Sequence, residues 1–137
     1  MDWEVVRYVR ETEANVSPGG GGDSELPGIA TDLKISQTFH AGSLLDDLKA
    51  EHPSVGDVRS IGLFGAIELV KNRETKEVMP TSEVGKAAAY LKEHGLYHFT
   101  PGNLIFTNPP LIITEPQLKD AFNVINEALS ITDQAVP

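Results

Sequence analysis

Cysteine is absent from this chain of 137 residues. A disulfide framework, a thiolate metal site and a thiol nucleophile are therefore excluded, and the core must hold together by packing. Positive charge is scarce as well: 11 Lys and Arg stand against 20 Asp and Glu, for a formal net charge of −9. Such a chain repels phosphate backbones and anionic lipid surfaces, which argues against nucleic-acid or membrane binding. No apolar run approaches the roughly 18 residues of a membrane span. The amino-terminal MDWEVVRYVRETEA lacks a basic-then-apolar signal pattern, so the expected address is cytoplasmic. A hydrophobic content of 40% suits one core of ordinary size.

Residues 3–9, WEVVRYV, are β-branched and aromatic enough for a short strand, yet Val5, Tyr8 or Val9, and Thr12 also fit one helical face. Residues 15–28, NVSPGGGGDSELPG, read as a flexible linker, because four consecutive glycines oppose order. Residues 1–32 thus form a leader and linker without assigned role, and 33–133 the expected folding unit. From Leu33 to about Glu51, residues Ile35, Phe39, Gly42, Leu45 and Leu48 share one side at helical spacing. Thr31 or Asp32 is available as N-cap, and Pro53 stops the helix.

After a turn at Gly56 and Asp57, apolar residues occupy both alternating sets from Val58 to Val70. This predicts a central strand covered on both sides, with Gly62 and Gly65 marking a bend or the close approach of another backbone. Lys71 to Glu77 reads as a charged connection. Thr81 or Ser82 then caps a helix with Val84, Ala87, Ala88 and Leu91 inward, ended by Gly95. Leu96–Phe99 and Leu104–Phe106 suggest a hairpin about Pro101-Gly102-Asn103. Thr114-Glu115-Pro116-Gln117 is a capping box opening a helix whose stripe is Leu118, Ala121, Phe122, Ile125 and Leu129, ending near Ile131. The class expected is α+β, with about three mainly antiparallel strands and helices packed on them.

Candidate chemistry is thin. The lysines, Lys34, Lys49, Lys71, Lys76, Lys86, Lys92 and Lys119, fall at polar positions, where nothing desolvates them. Glycines 19–22 lack the following Lys-Ser/Thr of a phosphate loop. His94 and His98 are separated by the helix-ending Gly95, which removes the spacing that a metal pair needs, and no metal site is expected. Asp46, Asp47 and Glu51 read as a solvated helix face.

Two runs carry a resemblance: HPSVGDVRSIGLFGAIELVKNRETKE, residues 52–77, and GLYHFTPGNLIFTNPPLIITEPQL, residues 95–118. Together they resemble the C-terminal small domain of class III pyridoxal-phosphate-dependent aminotransferases, especially the taurine/pyruvate and omega-amino-acid branch, over residues 33–133. The resemblance implies the small-domain fold of fold-type I aminotransferases. It also implies pyridoxal phosphate as cofactor of the complete enzyme, although the large domain with its cofactor-binding lysine has no counterpart here. No catalytic or cofactor-binding residue is expected in this chain alone. The implied partner is an aminotransferase large domain, or else further copies of the chain in a homo-oligomer.

In such enzymes the small domain closes over the active site, which here implicates Leu96–Phe99 and Pro109–Thr114 at the substrate entrance. Arg59, His98 and Phe99 are the residues expected on the substrate side if a large domain completes the site. For Arg59 a structural ion pair is the first reading and substrate contact the second. Two departures stand out: Ser60 replaces the glycine usual after Arg59, and neither Phe99 nor Phe106 is the carboxylate-binding arginine of many members. Tyr97-His98-Phe99 is closer to the taurine-type branch. With the large domain missing, apolar surface should remain, and Phe64, Phe99 and Phe106 are the candidates for a self-associating patch.

Overall fold

A computed structural model of the chain describes residues 41–137. The expectations for residues 3–9 and 15–28, and for the start and cap of the helix from Leu33, lie outside the described residues. Within them, helix α1 covers residues 41–51 and buries Ala41, Leu45 and Leu48. Strands β1 (Val55–Ile61), β2 (Phe64–Asn72) and β3 (Glu77–Val78) follow, then α2 (Thr81–Glu93), β4 (Leu104–Thr107) and α3 (Glu115–Asp133). All pairings in the four-stranded sheet are antiparallel. Central β2 has β1 on one edge, while the other carries β4 against Gly65–Glu68 and β3 against Val70 and Asn72. The class is α+β, with one strand more than the approximate count from sequence.

The continuous strand expected from Val58 to Val70 is instead a hairpin. Gly62 adopts φ +62°, a conformation open to glycine without steric cost, and reverses the chain between Ile61 and Phe64. The turn resets the alternation. Arg59 pairs across from Ala66 and Ile61 from Phe64, so these even-numbered β2 positions share a face with odd-numbered β1 positions. Two phases read as one strand gave the false impression of a segment covered on both sides. Nor is Gly56-Asp57 a turn: Gly56 lies in β1, at a register shift between Val55 and Asp57.

The packed face carries Val55, Gly65, Ile67, Leu69, Ile105 and Thr107, all buried. At Gly65 the close approach is made by side chains rather than by another backbone: a Cβ there would collide with the Thr107 hydroxyl and reach within 2.7 Å of Leu45 Cδ1. Val84, Ala87 and Leu91 of α2 and Leu118, Phe122, Ile125, Ala128 and Leu129 of α3 complete the core, leaving Ala88 and Ala121 half-buried. The capping box is formed: the Gln117 amide donates to Thr114 Oγ1 at 3.4 Å, and the Thr114 amide to Gln117 Oε1 at 3.0 Å. Gly95, at φ +81°, follows α2 as expected.

Four boundaries differ from expectation. Neither Thr81 nor Ser82 caps α2; the N-cap is Pro80, whose carbonyl accepts from the Glu83 and Val84 amides at 3.0 and 3.1 Å. The charged connection contains the end of β2 and the first residue of β3. Helix α3 runs on to Asp133, beyond Ile131, because Leu129 and Thr132 are still buried there. Leu96–Phe99 is not a strand: it meets β4 through one backbone bond, Phe106 N–H to Phe99 O at 3.0 Å, since β4 uses its ladder on β2. No helix among the described residues is long and apolar enough to cross a membrane.

Candidate functional site

The strand pairings define the second face of the sheet, where no described helix packs. Asp57, Arg59 and Ile61 of β1 lie opposite Glu68, Ala66 and Phe64 of β2, and Leu104 and Phe106 of β4 continue the Glu68 and Ala66 rows. The rows differ sharply in chemistry. At the polar end Arg59 Nε donates to Asp57 Oδ2 at 2.9 Å and a terminal guanidinium nitrogen donates to Glu68 Oε2 at 2.8 Å. Lys49 of α1 reaches Asp57 Oδ1 at 2.9 Å. The Arg59 guanidinium, joined by the Lys49 ammonium, holds the Asp57 carboxyl at about 2, below its ordinary 3.8. Asp57 in turn raises the pKa of Arg59, with Glu68 adding to the effect. Two of the five guanidinium N–H donors of Arg59 are engaged in this way, so a substrate carboxylate there would compete with Asp57 and Glu68.

At the other end, aromatic rings stack across the strands. Phe64 and Phe106 lie 5.4 Å apart between centroids at 13°, and Phe106 and Phe99 5.9 Å apart at 11°. The residues expected in an exposed patch thus form a single stack, and Phe99 at its outer end is 71% exposed.

His98 leaves this face. It lines a groove of about 240 Å³ with Ala88, Ala89 and Lys92 of α2 and with Leu96 and Tyr97. Burial pushes its imidazole below the usual histidine pKa, and its Nδ1 is buried without a hydrogen-bond partner. The Lys92 ammonium lies 6.0 Å from the centre of the Tyr97 ring. Of the site residues expected from sequence, Arg59 and Phe99 therefore share the open sheet face through Ala66 and Phe106, whereas His98 belongs to the α2 groove.

Two polar arrangements escaped sequence reading. Arg73, in the connection read only as charged, donates to the carbonyls of Lys49, His52 and Val55 at 2.5, 2.5 and 2.9 Å, and so caps the carboxyl end of α1. The second joins the α1–β1 turn to the end of α3. His52 Nδ1 lies 2.6 Å from Asp133 Oδ2, and its Nε2 2.6 Å from Asn126 Oδ1. The backbone amide and hydroxyl of Ser54 donate to Asp133 Oδ1 at 3.1 and 2.6 Å, and the Ser54 and Thr132 hydroxyls are 2.8 Å apart. Despite its serine, histidine and aspartate, this is not a hydrolytic triad. Ser54 is fully buried and bonds to Asp133 rather than His52, so no base addresses its hydroxyl. Among the described residues no group of three or more His, Cys, Asp or Glu could hold a metal ion.

A pyridoxal phosphate site needs a desolvated lysine and donors for the phosphate. The described lysines do not fit. Lys49, Lys71, Lys86 and Lys119 are paired with Asp57, Glu77, Glu83 and Glu115 at half-buried or exposed positions, Lys76 is exposed in a turn, and Lys92 stands over Tyr97.

Comparison with known proteins places this architecture. Residues 33–129 match the family Aminotransferase class-III. The chain belongs to that family. Isoleucine 2-epimerase of Lentilactobacillus buchneri is 39% identical over 89 residues, which are 64% of this chain and 19% of the epimerase. Probable gamma-aminobutyrate transaminase 4 of Oryza sativa subsp. japonica is 32% identical over 116 residues, covering 83% of this chain and 23% of the transaminase. Among solved structures, taurine:2-oxoglutarate aminotransferase from Bifidobacterium kashiwanohense superposes with a TM-score of 0.72 at 26% identity, over 93% of this chain and 33% of that one. The adenosylmethionine-8-amino-7-oxononanoate aminotransferase of Methanocaldococcus jannaschii gives 0.67 at 36% identity, over 74% and 23%. The chain thus spans about a fifth of the length of the curated relatives named here. It corresponds to a small-domain fragment of such an enzyme.

Proposed function

We propose that this chain supplies the small-domain part of a class III aminotransferase and neither holds pyridoxal phosphate nor transaminates alone. The carrying observation is the mismatch between family and lysines: a class III fold whose described ammonium groups are ion-paired or exposed. When bound in the family's enzymes, the cofactor supplies an electron sink for amino-group chemistry. In this chain, Arg59 and Phe99 on the open face and His98 in the α2 groove would line the substrate side of a site completed by a large domain. The partner is such a domain or, as a second reading favoured by the uncovered aromatic stack, another copy of the chain.

The test is to incubate the purified chain with pyridoxal phosphate, reduce with borohydride and map adducts by mass spectrometry. Only sparse modification spread over several exposed lysines is expected. A stoichiometric adduct on one lysine, lost on unfolding, would overturn the reading.

A further inference from the structure

No further inference is drawn: the strongest candidate, the groove of about 240 Å³ that Ala88, Ala89 and Lys92 of α2 form with Leu96, Tyr97 and His98, is an open surface on a chain spanning about a fifth of the length of its curated relatives, and nothing in the structure shows what covers it.

Discussion

His52 and Asp133, 81 residues apart in sequence, meet at 2.6 Å where the end of α1 passes the end of α3. The carboxylate also takes both Ser54 donors, so one side chain satisfies three donors of the α1–β1 turn. Asp133→Ala would strand these groups, two of them on side chains that are almost fully buried. A loss of about 3 kcal/mol is expected, the range for an unmet buried network rather than a surface pair. Urea denaturation measures it. Adding His52→Leu to Asp133→Ala should recover part of the loss, because the second change removes an orphaned group.

Arg73 carries a similar role with different chemistry. Its guanidinium spreads over the carbonyls of Lys49 and His52, at the end of α1, and of Val55, which opens β1. Arg73→Met keeps the aliphatic stem and removes the donors, and should cost about 1–2 kcal/mol in thermal or chemical unfolding. Arg73→Lys should recover little, since a single ammonium cannot span carbonyls that a planar fork reaches together. Full recovery by lysine would show that charge at the helix end, not the donor geometry, matters.

These arrangements mark the limit of what the sequence made legible. The α3 capping box and the α2 terminus at Gly95 were readable because each depends on residues within a few positions of one another. So was the family, since the motifs around Gly62-Leu63 and Pro109-Pro110 are local strings. The β1–β2 reversal was not. A single glycine makes the turn there, without the Asn or Asp that usually flags one, and apolar residues run straight through it. Arg73 and the His52–Asp133 link were invisible for another reason. Their partners are backbone carbonyls or lie 81 residues away, and no spacing rule encodes either. On the candidate site, Phe64, Phe99 and Phe106, singled out together from the sequence, do stack on one another, whereas nothing local indicates that His98 turns toward α2 while Phe99 joins the stack.

Acid should weaken the fold partly through Asp57. Its carboxyl is held at about 2 against an ordinary 3.8, so the folded state favours the ionised form. That contribution is fully present above pH 3.8 and is lost as pH falls through about 2. The side chain is 41% exposed, so the effect is small and salt reduces it. Asp57→Asn should flatten the acid limb of a stability-versus-pH curve, and molar salt should produce the same flattening in the unaltered protein. An acid limb unchanged by the substitution would assign the pH dependence to other carboxylates.

Alanine in place of glycine should have opposite signs at two positions of this chain. Gly65 faces Thr107 across the β2–β4 pair and lies beneath Leu45, and an added methyl would collide with the Thr107 hydroxyl and come within 2.7 Å of Leu45. Thr107 is buried, so its hydroxyl and the Leu45 methyl must turn away within a packed core, or the sheet and α1 must part. Gly65→Ala should therefore destabilise by about 1–3 kcal/mol, although alanine loses less entropy on folding than glycine. Gly85, on the exposed side of α2, has nothing within 4 Å of its Cβ position. There the helix preference acts alone, and Gly85→Ala should stabilise by about 0.5–1 kcal/mol. Thermal unfolding of the two variants side by side reads both signs. A neutral Gly65→Ala would show that β4 and α1 move apart easily, and the close approach of Thr107 and Leu45 to β2 would then not be what keeps residue 65 a glycine.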